Sequence, residues 1–157
     1  ACGMFYSIPL QLYVILHAEA TSAGANERCL TDKGERQSMD LGAYFKQNSI
    51  NPDIVLASPV LRAKQTAQIL CDTAGIGTPS VESWLSCGMA PEVAKRELKA
   101  YAELGSVVIV GHEPDLSFFL LDTLGEFQHL VKKASLTVID NYQSAGVRAT
   151  LTDYLRF

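Results

Sequence analysis

Val14-Ile15-Leu16-His17-Ala18-Glu19-Ala20 is the stretch that decides the fold. An apolar run closes there on a histidine and passes into small residues, which predicts a strand end whose polar side chain faces solvent or a substrate. Two later stretches repeat the pattern. Ile54-Val55-Leu56-Ala57 runs into Ser58-Pro59 with Arg62 just beyond, and Val107-Val108-Ile109-Val110 runs into Gly111-His112-Glu113-Pro114. Each is strand, turn and helix start, the alternation of an α/β protein with a parallel sheet. The carboxyl ends of parallel strands share one edge of such a sheet, and ligands bind in the crevice outside it. His17, Arg62 and His112 are therefore predicted to converge on one pocket, and two imidazoles with a guanidinium suit a phosphoryl group.

Outward from these anchors the elements follow in order. Residues 11–17 are expected as a buried central strand, and 18–29, with Gly24 and Asn26, as a loop at the site's edge. Thr31 offers an N-cap to a helix with Asp32 and Glu35 in its first turn, and with Ser38, Leu41, Gly42 and Phe45 on its packed face to about Gln47. Asp53–Ala57 is the second strand. Ser58 as cap and Pro59 at the first helical position predict a helix with Val60, Ala63, Ala67, Leu70 and Ala74 on its buried stripe, and Arg62 off that stripe near the strand end. A third strand is expected from about Ser80 to Leu85, then a half-exposed helix from Pro91 through Leu104, a strand at Ser106–Val110, and a helix opened by Pro114. Leu136–Asp140 and Arg148–Tyr154, with Ser144-Ala145-Gly146 as turn, predict two strands that extend the sheet antiparallel.

The chain has 157 residues, enough to bury a core without disulfide or metal staples. Residues 1–10 read as an N-terminal extension and 11–157 as one domain. With 48% apolar and 19% charged residues and a net charge of −4, nothing favours a nucleic-acid or membrane-surface partner. No apolar stretch approaches the roughly 20 residues that span a bilayer. The run from Ile8 to Leu16 ahead of Ala18-Glu19-Ala20 has the outline of a signal peptide. However, no Lys or Arg precedes Arg28, and Gln11 interrupts it. Cys2, Cys29, Cys71 and Cys87 are scattered without metal-ligand spacing, which predicts reduced thiols, a cytoplasmic setting and no metal site or cofactor.

A phosphate needs compact positive charge and hydrogen-bond donors, and the helices opened near Pro59 and Pro114 are expected to add backbone N–H groups. A neutral imidazole can attack phosphorus, and a phosphohistidine intermediate divides a hard hydrolysis into two easier displacements. His17 is the nucleophile candidate, with Arg62 and His112 holding the phosphoryl oxygens.

These residues sit in motifs. Leu30-Thr31-x-x-Gly34-Glu35, then Ser58-Pro59-x-x-Arg62-Ala63-x-Gln65-Thr66-Ala67, then Gly111-His112-Glu113-Pro114 resemble the histidine phosphatase superfamily, over roughly residues 11–140 and in the same order. The short length resembles its phosphohistidine phosphatase branch, the SixA-like proteins. The resemblance implies a three-layer α/β fold of the phosphoglycerate mutase-like kind, a largely parallel sheet flanked by helices. It also implies His17 as the phosphoaccepting histidine, Arg62 as a phosphate ligand and His112 as the second pocket histidine. The implied activity is hydrolysis of a phosphohistidine on a signalling protein partner, or of a small phosphoester.

Two departures qualify this. The family's Arg-His-Gly is Leu16-His17-Ala18 here, which removes a bidentate phosphate ligand that an apolar side chain does not replace. Arg28, on the loop after the first strand, is the phosphate-binding residue expected to compensate, and restoring arginine at position 16 is expected to raise activity. Where larger members carry an acidic proton donor, this chain has Trp84-Leu85-Ser86-Cys87-Gly88, which suits an imidazole leaving group. The alternative is a pseudophosphatase that binds phosphorylated ligands without efficient turnover. Glu19 and Glu113 are expected as ordinary carboxylates and His129 as a surface residue. Cys87 is expected as a thiol without a basic neighbour.

Overall fold

A computed structural model describes residues 10–22, 28–143 and 149–157. Its framework is a six-stranded sheet built from β1 (Leu10–Leu16), β2 (Ile54–Ala57), β3 (Ser80–Val81), β4 (Ser106–Gly111), β5 (Leu136–Tyr142) and β6 (Thr150–Leu155), in the order β3-β2-β4-β1-β5-β6. β1 lies parallel to β4, and β2 is parallel to both β4 and β3. β5 runs antiparallel to β1, and β6 antiparallel to β5. The sheet is thus largely parallel with an antiparallel extension, as expected. The predicted turn at Ser144-Ala145-Gly146 lies outside the described residues.

Alternation along β1 splits the core in two, because successive strand residues face opposite sides. Leu10, Leu12, Val14 and Leu16 point into one layer with Ala94 and Leu98 of α3 (Pro91–Leu98) and Leu116, Phe119 and Leu120 of α4 (Asp115–Leu124). Tyr13 and Ile15 point into the other, with Leu41 and Phe45 of α1 (Asp32–Gln47) and Ala63, Ala67 and Leu70 of α2 (Leu61–Ala74). Both faces of the central strands are covered, so they carry continuous apolar runs. This is the three-layer α/β architecture expected from the sequence. α1 and α2 approach closely at Gly42, where an added Cβ would meet Thr73 Cβ at 2.6 Å and the Leu70 carbonyl oxygen at 2.8 Å.

Several boundaries differ from expectation, each for a local reason. β3 has only two residues, both exposed and paired on one side alone, to Leu56 and Ala57. Beyond it the chain turns into a 3₁₀ helix at Ser83–Leu85 that buries Leu85. α3 stops at Leu98 and tightens into a 3₁₀ turn at Lys99–Tyr101 before β4. Ser58 does not cap α2: Val60 is the N-cap, and the Ser58 hydroxyl accepts from Val60 N–H at 3.2 Å in the turn before the helix. Pro114 is likewise the N-cap of α4 rather than its first residue.

Candidate active site

The three anchors meet at the carboxyl edge of the sheet, where the ends of β1, β2 and β4 are laced together by backbone bonds. His17 N–H donates to the Gly111 carbonyl at 3.2 Å, and Ser58 N–H to the Val110 carbonyl at 3.1 Å. His17 and His112 follow directly on β1 and β4, with ring centroids 5.4 Å apart. Arg62, in the first turn of α2, reaches across both. Its Nε lies 3.2 Å from His17 Nε2, and a terminal guanidinium nitrogen lies 3.5 Å from His112 Nδ1.

Partners fix the imidazole tautomers. His17 Nδ1 lies 2.8 Å from the Ala18 carbonyl oxygen, which can only accept. The proton therefore sits on Nδ1, and the Nε2 lone pair faces Arg62. On His112 the guanidinium occupies Nδ1 as a donor, so Nε2 carries the proton and donates to Ser58 Oγ at 2.8 Å. Both histidines are almost fully buried, at 3% and 2% exposure. Burial, and then the charges of Lys133, His112 and Arg62, pull His17 down to about 3 against the opposing bond to Ala18. Burial and then Arg62 pull His112 to about 4, with Lys133 adding to the fall and Asp115 opposing it. Both rings are neutral at pH 7.

The motif residues turn out to be a brace for this cluster. Thr66 Oγ1 donates to the Arg62 carbonyl at 2.8 Å and accepts from Ala18 N–H at 3.0 Å, tying the turn after His17 to the helix that carries Arg62. Gln65 Oε1 accepts from Leu30 N–H at 2.8 Å, and Gln37 Oε1 from Glu19 N–H at 3.0 Å. Thr31 caps α1 by accepting from Gly34 N–H, and donates its own hydroxyl to the Glu19 carboxylate at 2.8 Å. Gly34 is needed for contact. A Cβ there would stand 2.0 Å from the Glu19 carbonyl oxygen. The Asp115 carboxylate accepts from Gly88 N–H at 2.8 Å, which holds the loop after Leu85 against α4.

Contacts around the cluster bear on several of the expectations. The start of α4 offers less to an anion than expected, because Leu116 N–H is taken by the His112 carbonyl and Ser117 N–H by the Glu113 carboxylate. Cys87 does have a basic neighbour: its exposed sulfur lies 3.7 Å from an Arg62 guanidinium nitrogen. Glu82 accepts from the Tyr101 hydroxyl at 2.6 Å. Leu16 is buried in the α3/α4 layer, with its side chain given to the core. Arg28 stands outside the direct contacts of the cluster, and its Nε donates to the Thr21 carbonyl at 2.5 Å. His129 is exposed and stacks on Tyr154 with centroids 4.4 Å apart.

No motif or spacing in the sequence pointed to Lys133. It sits in the turn before β5, where Ala134 N–H donates to the carbonyls of both Leu16, at 3.1 Å, and His17, at 3.3 Å. Partial desolvation, and then the repulsion of Arg28 and Arg62, pull the pKa of its ammonium below the usual lysine value, while Glu113 and Glu19 oppose the fall. Among the described residues no three His, Cys, Asp or Glu side chains are grouped to hold a metal ion. No helix among them is long and apolar enough to cross a membrane.

Residues 13–86 match the sequence model of the histidine phosphatase superfamily, branch 1. An uncharacterized protein of Picosynechococcus sp. is 33% identical over 118 residues, 68% of each chain. The chain belongs to the histidine phosphatase superfamily. Solved structures share the fold of this superfamily member at lower identity. The protein histidine phosphatase SixA complexed with tungstate superposes with a TM-score of 0.84 at 21% identity, covering 93% of this chain and 96% of that one. The α-ribazole phosphatase of Shigella flexneri superposes with a TM-score of 0.71 at 18% identity, covering 90% and 94%. Superfamily membership supports a phosphatase-type hydrolase. The two structural relatives are named for different substrates, so the fold alone does not choose between them.

Proposed function

We propose that this protein is a phosphatase that hydrolyses a phosphohistidine, or a small phosphoester, through a phosphohistidine formed on His17. The observation that carries the proposal is Arg62 lying across His17 Nε2 and His112 Nδ1 while Ala18 holds the proton on His17 Nδ1. The nucleophile is then already a free base, aimed at the place where a guanidinium would gather phosphoryl oxygens.

An incoming phosphoryl group takes the guanidinium from the imidazoles, because an anionic oxygen is the stronger acceptor. His17 Nε2 forms a bond to phosphorus as the bond to the leaving atom breaks. A substrate imidazole already protonated on its second nitrogen departs neutral, so no acid is required of the protein for it, whereas a phosphoester oxygen takes its proton from solvent water as it leaves. Water then attacks the phosphoryl group, releases inorganic phosphate and regenerates His17. Arg62 and His112 stabilise the charge spread over the phosphoryl oxygens, and Ser58 keeps the His112 ring in place. Arg28 acts at the rim, where its charge bears on Lys133. The partner is a phosphorylated protein domain or a small phosphorylated molecule in the cytoplasm.

A second reading, a binding module without efficient turnover, is favoured by Leu16 alone. Hydrolysis of phosphoramidate and of p-nitrophenyl phosphate by the wild type and by His17→Ala separates the two. Phosphatase action predicts turnover, together with an acid-labile phosphoryl group trapped on the wild type and absent from His17→Ala. Equal rates for the two proteins would remove His17 from the reaction. Phosphate binding with no turnover in the wild type would establish the binding module.

A further inference from the structure

We propose that Lys133 is a direct ligand of the bound phosphoryl group and supplies the cation that position 16 lacks. This rests on the phosphate-site reading above and names a further residue of the same site. The turn that carries Lys133 is fastened to the nucleophile's own strand end. Ala134, fully buried and in the left-handed region at φ 56°, donates one N–H to both the Leu16 and His17 carbonyls. Ser135 N–H closes the turn on the Lys132 carbonyl at 2.9 Å. Lys133 is therefore the residue just before one whose backbone touches both Leu16 and His17.

Its charge is felt by both pocket imidazoles. The ion pairs among the described residues, Lys95 with Asp122 and Arg96 with Glu97, lie elsewhere. Glu19 and Glu113 are near enough to attract the Lys133 ammonium, but neither forms an ion pair with it. A lysine stem four carbons long can follow an anion into the pocket. Its ammonium is a point charge, so it replaces the charge of the missing guanidinium and not its bidentate geometry.

The test compares wild type, Lys133→Ala, Lys133→Arg and Lys132→Ala. Lys132 is the neighbour, exposed like Lys133, whose removal changes net charge equally. Inorganic phosphate binding is followed by calorimetry, and phosphoramidate hydrolysis by phosphate release. A charge-assisted bond lost from phosphate predicts binding weakened roughly 10- to 100-fold in Lys133→Ala. Loss of one preorganised donor predicts kcat/KM down by about 10²-fold. Lys133→Arg should recover both to within a few-fold, which a merely structural lysine would not require, and Lys132→Ala should match the wild type. Should Lys133→Ala fail to fold, Lys133→Gln gives the same comparison. Phosphate bound equally by Lys133→Ala and Lys132→Ala, or not bound by the wild type at all, would overturn the assignment. If the wild type binds phosphate without turnover and Lys133→Ala still loses binding, the catalytic reading falls while Lys133 remains a ligand.

Discussion

Acidification should destabilise this protein through its two pocket histidines. An ordinary histidine titrates at 6.5, whereas folding pulls His17 to about 3 and His112 to about 4, chiefly by burial. Between these values the unfolded chain binds protons that the folded chain refuses. Stability from this source is full above 6.5 and is lost as pH falls from 6.5 toward 4 and 3. Each pH unit in that window corresponds to about 1.4 kcal/mol per group. From pH 7 to about pH 5, where both folded rings are still neutral, each histidine should therefore cost about 2 kcal/mol. Together that is about 4 kcal/mol, a large share of the roughly 5–15 kcal/mol that holds a domain folded.

Urea midpoints at the two pH values, at unchanged m, measure this directly. His17→Asn keeps a donor for the Ala18 carbonyl, and His112→Gln keeps one for Ser58 Oγ. Each variant should lose about 2 kcal/mol less than the wild type over the same interval, and the His17 and His112 imidazole resonances of the wild type should stay flat across it. An acid loss in the wild type no larger than in the variants would mean that the rings titrate normally. His17 would then lose its free base as soon as the pH fell below about 6.5. Saturating phosphate should oppose the effect, since a dianion beside His112 favours its protonated form.

Other expectations follow from single contacts. Leu16→Arg should raise kcat/KM on phosphoramidate, but it must draw a charged head out of a buried core position. A stability loss of about 1–3 kcal/mol is expected from the disturbed packing, and activity and stability both unchanged would contradict the placement of Leu16. Gly34→Ala drives a Cβ into the Glu19 carbonyl and should cost about 1–3 kcal/mol in urea unfolding, while an unchanged midpoint would show that the contact yields freely. Phosphatase activity should be unaffected by a chelator, since the proposed chemistry uses only imidazole and guanidinium; loss to chelator with recovery on adding a divalent ion would refute that.

The central strands were legible because β1, β2 and β4 are buried on both faces, which forces uninterrupted apolar runs ending at His17, Ser58 and His112. The edge was not. β3 needs no apolar run when both its residues face solvent, so the segment from Ser80 to Leu85 looked longer than the two residues that pair. Ser58-Pro59 has the same sequence whether the hydroxyl caps a helix or receives the His112 imidazole, and only coordinates distinguish the two. Gln65 and Thr66 belonged to a recognisable motif, yet the bonds that explain them go to Leu30 and Ala18, across distances that no spacing rule reaches. Lys133 was invisible for a related reason. It enters the site through the antiparallel pairing of β5 with β1, a long-range contact without periodic signature.

The substitution of Leu16 for arginine leaves the site standing because nothing that builds it uses that side chain. His17 is held by Gly111 and by its bond to Ala18; Ala18 is held by Thr66; and Leu16 takes part through its carbonyl oxygen, which any residue provides. A leucine therefore removes charge without removing architecture, and it fills the α3/α4 core where it lies. Geometry of this kind must come from fixed positions, but a phosphate's need for charge can be met from any direction, provided the cation is close and free to move. A lysine at the turn clasped to the same strand end satisfies that condition, whereas Arg28, bound to the Thr21 carbonyl, is anchored further out. If the charge has moved from position 16 to position 133, the two should be interchangeable. Lys133→Ala should then cripple the wild type and spare the Leu16→Arg variant, a coupling of at least about 1 kcal/mol in a double-mutant cycle. Additive losses would mean that the two positions serve different oxygens, and that the native pocket works one cation short.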